Sequence, residues 1–208
     1  MTRILLADDH DVIRAGLRSI LEPRWKVVAE AANGKEAIHK AMEFKPDVAV
    51  LDYSMPLING VDATRQIRAR VPTVEVLIFT MHESEGLMHE LLEAGARGYL
   101  LKSDAKHLLI NAVESLAAHR PFFTGKVSDT LVEAYLTRPS PLEAVLTSRE
   151  RGVVQLIAEG HSNKQIAHVL SISVKTVESH RASVMRKLNL NSAAAVVRYA
   201  VRNKIVEA

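Results

Sequence analysis

The 208-residue sequence predicts an α/β domain followed by a small all-α domain. Across residues 1–120, short apolar runs alternate with amphipathic segments, which is typical of an open, doubly wound sheet of parallel strands with helices on both faces. Residues 147–208 show helical patterns throughout and carry 10 Lys and Arg against 4 Asp and Glu. Residues 121–146 break the alternation, so we expect a linker there between the two domains.

Five apolar runs are the predicted strands, because each is too short for a helix and lacks the polar alternation of a half-exposed strand. They are Ile4–Ala7, Val27–Ala29, Val48–Leu51, Val76–Phe79 and Tyr99–Leu101. The amphipathic segments predict helices at residues 11–21, 34–45, 59–70, 84–94 and 104–119. A five-stranded parallel sheet of this kind binds its ligands at the carboxyl ends of the strands.

The linker and the C-terminal segment carry their own helix signals. Apolar residues at helical spacing predict a short linker helix near residues 126–136, which the run Arg138–Pro141 ends. Thr147 and Glu150 match a capping box, and so do Ser162 and Gln165. The predicted C-terminal helices cover residues 148–159, 163–170, 174–188 and 192–201. Two short helices joined by a tight turn in a basic unit indicate a helix-turn-helix.

Composition and charge exclude several classes of protein. The sequence contains no Cys, which rules out disulfides and thiolate chemistry. The longest apolar runs are far below a membrane span and the first residues do not match a signal peptide, so we expect a cytoplasmic protein without a membrane partner. Residues 1–120 carry 15 Lys and Arg against 17 Asp and Glu, so the positive charge is concentrated in the last third. This asymmetry is expected where one end of a chain meets nucleic acid.

Polar residues follow four of the five predicted strands. Asp8 and Asp9 follow the first strand, Asp52 ends the third, and Thr80 and Lys102 follow the fourth and fifth. A lone Asp pair is ordinarily a solvated turn or a helix cap. Because neighbouring parallel strands end at the same edge, we expect three carboxylates, a hydroxyl and an ammonium to converge there. An all-oxygen cluster of this kind selects a hard cation such as Mg²⁺.

Residues 1–120 resemble the receiver domains of bacterial two-component response regulators, whose sheet is flavodoxin-like. The resemblance rests on Asp8-Asp9, on Asp52-x-x-Met55-Pro56 followed by Asn59-Gly60, and on Thr80, Tyr99 and Lys102. It implies that Asp52 accepts a phosphoryl group from the phosphohistidine of a sensor histidine kinase. It also implies a Mg²⁺ site formed by Asp9, Asp52 and the backbone carbonyl of Ser54, with Asp8 acting through water.

We also hypothesise a switch in this domain. The Lys102 ammonium and the Thr80 hydroxyl are expected to contact the phosphoryl oxygens. As Thr80 moves toward the phosphoryl group, Tyr99 is expected to rotate inward and change the surface near residues 84–104.

A helical wheel of residues 174–188 separates an apolar stripe from a polar face. The stripe contains Val177, Val184 and Leu188, with Val174 and Met185 beside it. The opposite face, which is predicted to meet base edges in the major groove, contains Lys175, Glu178, Ser179, Ala182 and Arg186. The residues that flank it, and that are better placed for phosphates, are Thr176, His180, Arg181 and Lys187. An ordinary solvated helix shows the same division, so the wheel alone leaves both interpretations open.

Residues 146–202 resemble the LuxR-type helix-turn-helix, with the stretch LTSRERGVVQLIAEGHSNKQIAHVLSISVKTVESHRASVMRKLNL carrying the match. Behind a receiver domain, this indicates a transcriptional response regulator of the NarL/FixJ type. It implies double-stranded promoter DNA as a partner and a homodimer when the protein is phosphorylated or DNA-bound. A dimer would require inverted half-sites about 10 bp apart. The apolar helix at residues 192–201 either forms the dimer contact or closes the core of the small domain.

Two other functions stay open at this point. A Mg²⁺-dependent aspartyl-phosphate hydrolase would need a second carboxylate two residues after the nucleophile, and that position is Ser54. A DNA-binding protein whose receiver serves only as an unphosphorylated dimerisation module would show a damaged pocket, whereas every pocket residue is present here. We therefore expect a DNA-binding regulator whose only catalysis is phosphoryl transfer onto itself and slow hydrolysis.

Overall fold

The structure is a computed structural model that describes residues 1–81, 85–124, 146–203 and 205–206, without the side chains of residues 85, 86, 89, 105–107 and 148. The chain divides into two compact units, Met1–Arg138 and Pro139–Ala208. The predicted linker helix near residues 126–136 lies outside the described residues.

The first unit is built on a parallel sheet, with the described strands in the order β2-β1-β3-β4-β5-β6. The strands are β1 (Arg3–Ala7), β2 (Lys26–Ala31), β3 (Val48–Asp52), β4 (Glu75–Thr80), β5 (Gly98–Leu101) and β6 (Phe122–Phe123). β3 and β4 are buried along their whole length, which explains their continuous apolar sequences. The α/β fold class is confirmed. The sheet gains β6, which is too short for apolar periodicity to reveal and pairs with β5.

Helices connect these strands. They are α1 (Asp11–Leu21), α2 (Gly34–Phe44), α3 (Gly60–Arg70), α4 (Glu85–Glu93) and α5 (Ala105–Ala117), with a 3₁₀ helix at Lys102–Asp104. Their ends lie within two residues of the predicted ones. One core cluster joins apolar residues of β1, β3 and β4 to α1 and α5, and Trp25 packs against it. Because Trp25 is the only Trp of the sequence, its fluorescence reports on this unit alone.

The second unit is helical, as the sequence predicts. Its described helices are α6 (Ser148–Ala158), α7 (Asn163–Leu170), α8 (Val174–Lys187) and α9 (Ala193–Arg202). Both predicted capping boxes form, at Thr147 with Glu150 and at Ser162 with Gln165. The turn between α7 and α8 begins at Ser171, whose φ of 53° is left-handed, and the next helix starts three residues later at Val174. Nowhere in the described ranges is a helix long and apolar enough to cross a membrane.

Candidate functional site

The predicted polar residues of the first unit meet at the carboxyl edge of the sheet. β1 lies between β2 and β3, where the strand order reverses, and such a switch point is where doubly wound sheets bind ligands. Asp8 follows β1 directly, and Asp52 ends the neighbouring β3. Thr80 ends β4 and pairs with Leu101, the residue before Lys102. Neighbouring strands therefore bring these side chains to one edge.

Lys102 connects two of the carboxylates. Its Nζ lies 2.7 Å from Oδ2 of Asp8 and 3.0 Å from Oδ1 of Asp52. Both carboxylates are buried, and the Lys102 side chain is only 11% exposed. The ammonium also lies 5.7 Å from the centre of the Phe79 ring, within the range of a cation–π contact. The Lys102 ammonium thus lies between two buried carboxylates and beside an aromatic ring.

The charges of this site are mutually dependent. Burial raises the pKa of Asp52 to about 6, although the Lys102 ammonium counteracts part of that rise. Burial alone would lower the pKa of Lys102, but the Asp52 and Asp8 carboxylates outweigh it and the pKa is raised. Lys102 therefore stays charged, while the anionic form of Asp52 is held at a free-energy cost that an added cation would reduce.

Asp9 and its neighbour His10 complete the acidic edge. One ligand atom from each of Asp8, Asp9 and His10 lies within 4.8 Å of the others. His10 Nδ1 is 2.9 Å from Oδ1 of Asp9, and the Asp9 charge raises the pKa of the imidazole. We did not predict His10 as part of the site, although its place directly after the Asp pair is visible in the sequence.

The donor set fits a hard cation. It offers several carboxylate oxygens on one edge, and these carry more negative charge than the single Lys102 ammonium offsets. Ser54, whose backbone carbonyl is an expected ligand, has a buried Oγ that forms no hydrogen bond to any described residue. The carboxylates at this edge therefore fit a hard cation such as Mg²⁺.

Gly60 fixes the segment that follows Asp52. Its N–H donates to the Tyr53 carbonyl at 2.9 Å, and a Cβ at Gly60 would lie only 2.3 Å from the Asp52 carbonyl oxygen. The preceding Asn59 caps α3 by accepting from the Asp62 N–H at 2.9 Å. Only glycine permits this close approach of α3 to the end of β3.

The two predicted switch residues are both inside the protein. Thr80 and Tyr99 are each 1% exposed. The inward orientation that we expected Tyr99 to adopt on switching is therefore the one that this structure contains. Tyr99 also pairs in register with Phe123 of β6, so the strand that carries it adjoins the first residues after α5.

In the second unit, the predicted base-reading face of α8 is open to solvent. Its members are all exposed: Lys175, Glu178, Ser179, Ala182 and Arg186. Val177 and Val184 of the opposite stripe are fully buried, while Leu188 and Met185 pack partly buried against the same core. Val174 is 37% exposed, because it lies in the first turn at the edge of the core. The helical wheel thus separates the two faces correctly apart from Val174.

Three of the four predicted phosphate-contacting residues are held by other residues of this unit. Thr176 Oγ1 lies 2.7 Å from Ser173 Oγ, and Arg181 Nη1 donates to Asn163 Oδ1 at 2.9 Å. Lys187 Nζ donates to Glu150 Oε2 at 2.7 Å. The contacts of Arg181 and Lys187 are with other helices, which a single-helix wheel does not reveal.

Glu150 is the centre of a buried network. Besides Lys187, its carboxylate accepts from the Ser183 hydroxyl at 2.7 Å and from the Thr147 N–H at 2.8 Å. Burial alone would raise its pKa, but the hydrogen bonds from Lys187, Ser183 and Thr147 lower it to about 2. The side chain that caps α6 thereby also fixes the C-terminal half of α8.

α9 closes the core of the second unit with one face. Val196 and Ala200 are buried in the core cluster. Ala193, Ala194 and Val201 are exposed, so an apolar outer face is also present. The core-closing role that we considered for this helix is therefore present in the structure.

Comparisons with known proteins agree with this arrangement. A family model of the response regulator receiver domain matches residues 4–114, and one of the luxR family of bacterial regulatory proteins matches residues 144–200. Oxygen regulatory protein NreC of Staphylococcus epidermidis is 38% identical, with 99% of each chain covered. The RcsB response regulator of Salmonella typhimurium is similar in structure, with 26% identity, a TM-score of 0.69, and 99% of this chain and 98% of that chain covered.

A second solved RcsB structure, from Salmonella enterica serovar Typhimurium, is bound to a promoter in the presence of the phosphomimetic BeF3⁻. It is 26% identical, with a TM-score of 0.65, and covers 95% of this chain and 97% of that chain. The receiver match alone spans more than half of this chain, and the similarity to NreC spans nearly all of it. The chain therefore belongs to the two-component response regulators that join a receiver domain to a LuxR-type helix-turn-helix DNA-binding domain and regulate transcription.

Proposed function

We propose that a sensor histidine kinase switches this regulator by transferring a phosphoryl group to Asp52. The observation that carries the proposal is the position of the Asp52 carboxylate, which lies at the carboxyl edge of the sheet within 3.0 Å of the Lys102 ammonium. A carboxylate oxygen of Asp52 attacks phosphorus, a P–O bond forms, and the P–N bond of the donor phosphohistidine breaks. The donor histidine leaves with the bond's electron pair and takes up a proton.

The neighbouring residues have separate parts in this reaction. Asp9, Asp52 and the Ser54 backbone carbonyl would hold Mg²⁺, with Asp8 acting through water. When bound, Mg²⁺ supplies positive charge that offsets the charge of the phosphoryl oxygens. The Lys102 ammonium supplies further positive charge, and the Thr80 hydroxyl donates to a phosphoryl oxygen after transfer.

We further propose that the exposed face of α8 enters the major groove of promoter DNA. The basic balance of residues 147–208 and the exposure of Lys175, Ser179 and Arg186 support this assignment. The protein would act in the cytoplasm as a homodimer on two inverted half-sites about 10 bp apart centre to centre. RcsB, a relative of this chain, has been solved in complex with a promoter, which supports promoter DNA as the partner. The domain limits that we propose remain 1–120, 121–146 and 147–208.

Labelling from acetyl phosphate tests the phosphoryl step. Intact-protein mass spectrometry should detect one phosphoryl group per chain in the presence of Mg²⁺, and none on Asp52→Asn. Asp47→Asn, an exposed carboxylate just before the other end of β3, is the matched control and should be labelled like the wild type. Continuous release of phosphate without accumulated label would favour an aspartyl-phosphate hydrolase, and label on Asp52→Asn would contradict the assignment.

Footprinting tests the dimer. We expect the phosphorylated full-length protein to protect two half-sites together, with a mass of two chains per DNA by light scattering. Protection of a single half-site by a monomeric phosphorylated protein would contradict the dimeric part of the proposal.

A further inference from the structure

Arg14 on α1 connects three parts of the first unit. Its Nη1 donates to the backbone carbonyl oxygen of Asp8 at 2.7 Å. Its Nη2 forms an ion pair with Asp11, and its Nε lies 3.5 Å from Oε2 of Glu30 on β2. The side chain is only 14% exposed. A single planar guanidinium thus joins the β1–α1 turn, the start of α1 and the adjacent strand.

The Asp8 position is fixed on every side. Its N–H donates to the Ala31 carbonyl at 3.2 Å, and its carboxylate accepts from Lys102 Nζ at 2.7 Å and from the His10 N–H at 2.9 Å. The bond from Arg14 Nη1 goes to the backbone carbonyl, so it contacts the peptide link between Asp8 and Asp9. That peptide link fixes the backbone of Asp9, whose side chain is 30% exposed and contacts the exposed His10 imidazole.

Glu30 is the ion-pair partner at the other end of this connection. It lies on β2, which pairs in register with β1 at Leu6, and its Oε1 is 2.6 Å from Nε of Arg18. Arg18 lies one turn further along α1, where it pairs with Glu22 as well as Glu30. The two arginines therefore share Glu30, whereas the contact with the Asp8 carbonyl belongs to Arg14.

We propose that Arg14 is a positioning residue for the Asp8-Asp9 pair: through the Asp8 carbonyl and Glu30 it holds the β1–α1 turn in the conformation that binds Mg²⁺. It contacts neither the metal nor the phosphoryl group. This inference rests on the proposed function, because it concerns the same Mg²⁺ site.

Positioning and charge predict opposite effects of removing Arg14. Loss of a cation beside an acidic site strengthens the binding of another cation by simple Coulomb attraction. Loss of a residue that orients metal ligands weakens metal binding, typically by about 10-fold or more. The sign of the change in Mg²⁺ affinity therefore distinguishes the two roles.

The test uses the full-length protein with Mg²⁺ alone, by isothermal titration calorimetry, and then the Mg²⁺ concentration that half-saturates acetyl phosphate labelling. Arg14→Gln should weaken Mg²⁺ binding about 10-fold. Arg14→Lys keeps the charge but not the planar fork, so it should also weaken binding, by a smaller factor. Arg18→Gln is the matched control because it loses the same charge and the same Glu30 partner, and its Mg²⁺ affinity should stay within about 2-fold of wild type.

Each outcome decides the question. Unfolding curves followed by Trp25 fluorescence show whether the variants fold, and equal losses of stability in Arg14→Gln and Arg18→Gln with unequal Mg²⁺ affinity support positioning. Unchanged or tighter Mg²⁺ binding in both folded Arg14 variants would overturn the inference. If the wild type itself neither binds Mg²⁺ nor accepts label, the proposed function fails instead, so the two failures are distinguishable.

Discussion

The ammonium of Lys187, at the end of α8, lies 2.7 Å from Oε2 of Glu150 in the first turn of α6. The same carboxylate accepts from Ser183, one turn earlier on α8. The helix that we assign to the major groove is therefore anchored by a buried anion on its inner side. This anchor affects both the acid stability of the second unit and the energetics of its DNA contacts.

Glu150→Gln should destabilise the second unit by on the order of 2–3 kcal/mol at neutral pH. The pKa of Glu150 is lowered from an ordinary 4.5 to about 2, so its ionised form stabilises the fold. That stabilisation is complete above about pH 4.5 and is lost as the pH falls toward about 2. Hydrogen exchange of peptides from residues 146–203, measured on the full chain against pH, would report it.

The matched control for this change is Glu178→Gln, which neutralises an exposed Glu on the outer face of α8. We expect its hydrogen exchange to follow the wild type. If both variants lose protection equally at neutral pH, the Glu150 network does not stabilise the unit.

Lys187→Met should destabilise the second unit, and it should lower the slope of log K against log salt for DNA binding by less than one unit. The helical wheel predicts a phosphate contact for Lys187, which would contribute about one unit to the slope of log K against log salt. In the structure its charge is already paired with Glu150, so a DNA phosphate would have to compete for it. Fluorescence anisotropy with promoter DNA across a salt series measures the slope. A decrease of a full unit with unchanged stability would show that the phosphate contact dominates.

Lys187 also shows where sequence reasoning reaches its limit. The wheel separates the buried Val177 from the exposed Ser179, because the 3.6-residue period alone decides which side faces the core. It cannot predict that a carboxylate 37 residues away reaches the same side chain. Long-range polar pairs depend on how the helices pack, and a local pattern carries no such information.

The first unit shows the same contrast. The apolar runs predict the buried strands because parallel strands covered on both faces must be apolar along their length, and the residues after them then meet at one edge. Asp8, Asp52 and Lys102 converge as that rule requires. The contact of Arg14 with a backbone carbonyl and the pairing of Phe123 with Tyr99 arise from details of turn and edge geometry that residue types do not encode.

In metal-free buffer, Asp52→Asn should stabilise the first unit at neutral pH. Burial raises the pKa of Asp52 from 3.8 to about 6, so its ionisation above that pH opposes folding by on the order of 1–3 kcal/mol. The difference between variant and wild type should shrink as the pH falls from about 6 to 3.8, and it should be lost below that, where Asp52 is neutral in both the folded and unfolded states. Urea unfolding followed by Trp25 fluorescence with a chelator present measures it. A less stable variant at neutral pH would show that the ion pair with Lys102 outweighs the cost of burial.

Thr80→Ala should accept label from acetyl phosphate but lose the gain in DNA affinity that phosphorylation confers on the wild type. Thr80 is buried at the end of β4, beside the strand that carries Tyr99, and we expect its hydroxyl to couple the pocket to that strand. Thr80→Ser, which keeps the hydroxyl, should restore most of the gain. DNA anisotropy before and after phosphorylation measures the coupling, and a full gain in Thr80→Ala would refute a role for the hydroxyl.

Ser179→Ala should change base preference at one position of each half-site without changing the salt dependence of binding. Ser179 is exposed on the predicted base-reading face. Its hydroxyl donates to the Lys175 carbonyl at 3.1 Å, and on DNA we expect it to donate to a base edge instead. A hydrogen bond to a base edge contributes on the order of 1–3 kcal/mol to discrimination, whereas it releases no counterion. Selection from DNA with a randomised half-site, followed by affinity measurements at several salt concentrations, separates the two effects.

Ser183→Ala is the matched control, because it makes the same chemical change on the same helix at a hydroxyl that donates to Glu150. The orientation that we assign to α8 predicts altered preference in the first variant and wild-type preference in the second, and the reverse result would place the opposite face of α8 against the DNA.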